Sequence, residues 1–192
     1  LPIVLPLVAG ALLVMLEAGR SRWVPAFSLA ATALGALVAA ALVVQAAHGQ
    51  VQVYLLGNWR APWGIALMLD RLAALMLALT ALVSLAALAH TLGSAAGAAS
   101  GHAPTRGAAG PDGSHFHSLF QFQLMGLNGA FLTGDLFNLF VFFEVLLAAS
   151  YGLLLHDADR ARLRAGVHYV VFNLAGSALF LVALGLLYGV AG

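Results

Sequence analysis

An all-α bundle of about six membrane-spanning helices is the fold this sequence predicts, and three observations predict it. Of 192 residues, 62% are hydrophobic and 8% charged, against roughly 25% charged in an ordinary soluble domain, whose interior could not hide so much apolar surface. Apolar runs long enough to cross a hydrocarbon core of about 30 Å as helices recur along the chain. The breaks between those runs hold nearly all the charge and most of the turn formers.

The spans fall at residues 2–16, 24–47, 65–92, 116–132, 136–155 and 167–190, forming one membrane domain over 1–192. The first run lacks the basic leader and small-residue cleavage site of a signal peptide, so it is expected to be a short first helix. Because the chain starts without methionine, residues are expected to be missing at that end. Residues 51–59, VQVYLLGNW, alternate polar and apolar at first and end in Gly-Asn, which suits a short strand or an interfacial segment. Trp59, Trp63 and Tyr54 mark that boundary, where aromatic rings favour the membrane interface. Residues 93–114, rich in glycine, alanine and serine, are expected to be a flexible loop.

The arginines set the orientation. Loops one, three and five hold Arg20, Arg22, Arg106, Arg160, Arg162 and Arg164, whereas loops two and four hold Arg60. Cytoplasmic loops carry the positive excess, so a multi-pass protein of the cell (inner) membrane is expected, with its amino terminus outside and residues 93–114 and 156–164 in the cytoplasm. A net charge of +1 supplies no basic field for nucleic acid, which is excluded as a partner. Without cysteine there is no disulfide, thiolate metal site or iron–sulfur ligation, so redox chemistry would belong to another subunit. His115, His117 and His102 lack further ligands at a metal-binding spacing, and no phosphate-cradling or dinucleotide motif appears; neither metal nor cofactor is expected.

Glu144 breaks the apolar rule most sharply. It is the ninth residue of LFNLFVFFEVLLAASYGLLL, about 12 Å into the helix at ~1.5 Å per residue, and so near mid-membrane. An acid at that depth usually faces a bundle interior, a cavity or an opposite charge. Desolvation favours its neutral form and a nearby cation its charged form, so it can exchange a proton when its partner moves. The alternative is a protonated or hydrogen-bonded packing residue. Helical spacing puts Phe140, Leu147, Ala148 and Tyr151 on its side, and small residues nearby permit close packing.

Other polar residues carry two readings each. Asp70 and Arg71, expected about two turns inside the third span, suit either an ion path or an interfacial pair. Asp135 suits the amino-terminal cap of the fifth helix. Tyr169, Asn173 and Ser177 form a stripe on the sixth helix that either bonds helices together or lines a wetted path. His168 can pass protons near neutral pH or sit satisfied at the interface. Gln121 and Asn128 share a face of the fourth helix and invite the same pair of readings.

Residues 128–155, NGAFLTGDLFNLFVFFEVLLAASYGLLL, together with VYLLGNWRAPWGIALMLDRLAALM and LRAGVHYVVFNLAGSALFLVALGLLYG, resemble the D subunits of Mrp-type multisubunit Na+(K+)/H+ antiporters. That family is similar to the antiporter-like membrane subunits of respiratory complex I (N, M and L type) and of membrane-bound hydrogenases. The resemblance implies an inverted-repeat fold of about fourteen helices, of which this chain would be an amino-terminal fragment. It also implies a glutamate, here Glu144, facing a lysine on the seventh helix. No lysine occurs in this chain, so the partner is expected beyond residue 192. His168 stands where relatives often have lysine.

Three functions follow from this reading. The first is a proton-conducting subunit of a multisubunit monovalent cation/proton antiporter, partnered by other subunits, the bilayer, protons and Na+ or K+. In it Glu144 relays protons, and Asp70, His168, Tyr169, Asn173 and Ser177 are candidates for the ion path. The second is a proton-translocating subunit of a complex I-like NADH:quinone oxidoreductase or membrane-bound hydrogenase; in either case the chain would have no catalytic chemistry of its own. The third is a non-transporting assembly scaffold.

Overall fold

A computed structural model describes residues 1–19, 21–59, 64–99, 115–155 and 160–191. Arg20, Arg60, Trp63, His102 and Arg106 lie outside the described residues. Six helices dominate the described part: α1 (Val4–Ala18), α2 (Val24–Ala47), α3 (Arg71–Ala99), α4 (Phe116–Leu132), α5 (Leu136–Leu155) and α6 (Arg160–Ala191). Between α2 and α3 lie β1 (Gln52–Leu55), a 3-10 turn (Leu56–Asn58) and β2 (Ala66–Leu69). The strands pair antiparallel, with Gln52 opposite Leu69 and Leu55 opposite Ala66.

Local chemistry explains most helix starts and stops. Pro6 stands in the first turn of α1 and Pro25 at the start of α2, where a missing N–H costs nothing. Gly49 ends α2 with φ +80, and its N–H bonds the Ala46 carbonyl at 3.0 Å. Gly57 and Asn58 take the left-handed conformation that turns the chain after β1.

Three boundaries differ from expectation. The third helix begins at Arg71 rather than residue 65, because Ala66–Leu69 pairs with β1 and satisfies its backbone bonds as strand. Helix α3 runs on through residues 93–99, where alanine favours continuation; the rest of the expected loop lies outside the described residues. Helix α6 starts at Arg160 rather than residue 167, since arginine, leucine and alanine are strong helix formers.

Among the described residues, four helical stretches are long and apolar enough to cross a membrane: Val24–Ala47, Arg71–Gly93, Leu136–Leu155 and Leu163–Val190. Helix α1 is shorter, at 15 residues. The 17-residue α4 is richer in polar side chains because it packs against α1, α2, α3 and α5. Its Gly126 lies so close to α5 that a Cβ there would stand 2.8 Å from the Leu146 backbone nitrogen. Small side chains bring α2 and α3 together likewise, with Ala39 and Ala46 packed into a cluster with Ala73, Ala74 and Leu77.

The ends of the bundle are tied differently. At one end Leu67 bridges Thr133, Gly134 donates to the Ala66 carbonyl at 2.9 Å, and Asn128 donates to the Pro2 carbonyl at 2.8 Å. At the other, the Glu17 carboxylate of α1 accepts from the His117 N–H at 2.9 Å, the Ser118 N–H at 3.3 Å and the Ser118 hydroxyl at 2.6 Å. An acid here satisfies free N–H groups at the positive end of α4.

Candidate functional site: the α5–α6 cleft

Helices α5 and α6 run antiparallel, and their contacts keep one register. Phe140 stacks on Phe180 at 6.1 Å, Ser177 donates a hydrogen bond to Glu144 Oε1, and Tyr151 meets Tyr169 edge-on at 5.9 Å. Leu155 closes the row against Gly166, which is buried and has no side chain to obstruct the approach. Each step of about one or two turns along α5 is matched by a comparable step back along α6, as antiparallel helices at close contact require.

Glu144 stands in the middle of this row, half-buried. It lines a cleft of about 350 Å³ with Phe140, Leu147, Asn173, Gly176 and Ser177. One flank of the carboxylate is covered by α6, while the cleft leaves the other partly open. Of its predicted neighbours, Phe140 and Leu147 share the cleft and Tyr151 the contact row, whereas Ala148 is exposed.

The remaining candidates separate into two groups. Ser177 and Asn173 join Glu144 in the cleft, and Asn173 also donates to the Tyr169 carbonyl at 2.8 Å, so the stripe both bonds the helix and lines a cavity. Tyr169 lies one turn further on, 43% exposed, with its ring against Tyr151. His168 is exposed and keeps its Nδ1 2.8 Å from the Arg164 carbonyl, away from the cleft lining. Since a carbonyl only accepts, Nδ1 carries the proton there.

Asp70 is not two turns inside a helix. It precedes α3, exposed, and its Oδ1 accepts from the Ala73 N–H at 2.6 Å as an amino-terminal cap. Arg71 turns away from it and donates to the Ala47 carbonyl at 3.4 Å, at the negative end of α2. Asp135 caps α5 as expected, accepting from Phe137 N–H at 3.0 Å and from the Asn138 amide at 2.6 Å.

Residue-by-residue reading of the sequence misses the Glu17 junction. Glu17 reads there as one more loop charge, although an acid at a helix carboxy terminus opposes its own dipole and so signals a partner elsewhere. Among the described residues no group of three or more metal-ligating side chains converges.

A bundle of apolar helices with its polar side chains turned onto one another is a multi-pass membrane protein. Comparison with known proteins places it more narrowly. Residues 133–192 match the family model described as NADH:quinone oxidoreductase/Mrp antiporter, TM. The whole chain aligns with the D subunit of a probable K(+)/H(+) antiporter of Rhizobium meliloti at 49% identity, covering 34% of that protein. It also aligns throughout with the D subunit of the Na(+)/H(+) antiporter of Bacillus subtilis at 38% identity, covering 36%. Among solved structures, the Mrp complex from Dietzia sp. matches with a TM-score of 0.84 and 33% identity over 100% of this chain and 34% of that one. The membrane-bound sulfane sulfur reductase, an archaeal respiratory membrane complex, matches at 0.84 and 29% over 98% and 36%. These matches establish the chain as a relative of Mrp-type D subunits with the antiporter-like fold. It spans about a third of the length of the relatives it matches.

Proposed function

We propose that this chain is part of a proton-conducting subunit of a multisubunit monovalent cation/proton antiporter in the cell membrane, with its amino terminus outside and Glu144 as a half-buried proton-relay carboxylate. The observation that carries this reading is the mid-helix acid, held by Ser177 and bordered by a polar stripe in an otherwise apolar interface. A carboxylate so placed binds a proton when isolated and releases it when a cation or donor approaches. Ser177 donates one hydrogen bond and Asn173 offers an amide within the same cleft. Relatives named as K(+)/H(+) and Na(+)/H(+) antiporter subunits support the ion class.

The test is Glu144→Gln in the complete complex, reconstituted in vesicles with proton movement followed on adding Na+ or K+. Exchange falls by about a hundredfold, as expected when a positioned acid–base group is lost, while assembly stays intact. Unchanged exchange in an assembled complex would favour the scaffold reading. The similarity to a respiratory sulfur reductase supports a second reading, a redox-driven pump. It predicts that the purified complex carries redox modules and moves protons on electron transfer without added cation.

A further inference from the structure

Helix α4 carries a second polar file, away from the Glu144 cleft. His117 and Gln121, one turn apart, are each 1% exposed. Gln121 Nε2 donates to the Ser28 carbonyl at 3.2 Å and to Thr32 Oγ1 at 2.9 Å. Thr32 Oγ1 spends its own proton on the Ser28 carbonyl at 2.9 Å. Both neighbours can therefore only accept from Gln121, which fixes its amide nitrogen towards α2 and turns Oε1 the other way.

That Oε1 is buried with no protein donor among the described residues, as are both ring nitrogens of His117 and the Ser28 hydroxyl. A single buried polar group left unmade costs roughly 1–3 kcal/mol, and such groups are normally served by protein or by ordered water. Gln121 and Thr32 line a cavity of about 30 Å³ among α1, α2, α3 and α4, whose walls also include Thr80, Ser84 and Asn128. A water needs about 10–15 Å³ of such space and two to four polar partners. The cavity meets both conditions. His117 stands one turn towards the start of α4, where its backbone N–H donates to Glu17, and neither residue lines the cavity.

We propose that this cavity is a resident water site anchored on Gln121 Oε1, with Thr32, Thr80, Ser84 and Asn128 as its other polar walls. The site does not depend on the role assigned to Glu144. Its ligand is water, and its donors and acceptors are amide and hydroxyl groups.

Radiolytic hydroxyl labelling of the assembled complex tests it, because bound water generates the label where it sits. Leu77 lines the cavity and is 2% exposed, whereas Leu88 is 0% exposed and does not line it. Leu77 should be modified roughly fivefold faster than Leu88, and Gln121→Leu should bring it down to the Leu88 rate. Glu144→Gln should leave the pattern unchanged. Modification of Leu77 no faster than Leu88 in the unaltered complex would overturn the proposal, even if Gln121→Leu fails to assemble. Equal labelling with and without Gln121 would overturn it too.

Discussion

Removing the Glu17 carboxylate is the sharpest test of how the bundle is held together. Its side chain is 5% exposed and joins two segments about a hundred residues apart through two backbone N–H groups and one hydroxyl. A hydrogen bond to a charged group contributes about 1.5–3 kcal/mol, and an amino-terminal cap about 1 kcal/mol. The three bonds share one acceptor and are not additive, so Glu17→Ala is expected to cost about 2–4 kcal/mol. The His115 imidazole, 3.5 Å away and half-exposed, adds little. Glu17→Gln keeps an oxygen for the two N–H groups and should cost about 1 kcal/mol. Reversible unfolding of the intact subunit in mixed micelles measures both. An alanine variant within about 0.5 kcal/mol of the parent, or a glutamine variant as damaging as alanine, would refute the role assigned to the junction.

Further outcomes follow from other contacts. Asp70→Ala should destabilise α3 by about 1 kcal/mol through loss of its cap while leaving the ion-exchange rate of the complex unchanged; a loss of exchange in a stable complex would return Asp70 to the ion path. Gly126→Ala should push α4 from α5 and cost about 1–3 kcal/mol in unfolding experiments, whereas a neutral result would contradict the close approach. Ser177→Ala should slow exchange less than Glu144→Gln, since it removes one partner of the acid and not the acid itself. The chain has no native cysteine, so single cysteines report orientation. Val53→Cys should react with an impermeant maleimide on intact cells and Gly19→Cys only after permeabilisation, and the reverse pattern would invert the topology.

The helices are legible in the sequence because apolar length is a strong signal where backbone bonds must close within each segment. That ALML at 66–69 is strand is not, since a short apolar run reads alike as helix or strand until its partner is known. Glu144 stands out because its surroundings are uniformly apolar, and the four-residue spacing of Asn173 and Ser177 places both on the face that meets it. Asp70 misleads because the apolar residues before it read as helix, which turns a cap into an apparent interior charge. The contacts of Gln121 with α2 and of Glu17 with α4 span about ninety and a hundred residues. No local pattern encodes such distant partners.

The clasp formed by Leu67, Ala66, Thr133 and Gly134 has a mechanical consequence. It fastens the start of α5 to the hairpin that leads into α3, so three segments share one stiff rim upstream of the mid-helix acid. Helix α5 is thereby anchored like a post set in a collar. Any rearrangement that changes what the acid touches must therefore leave the first turn of α5 in place or break the clasp.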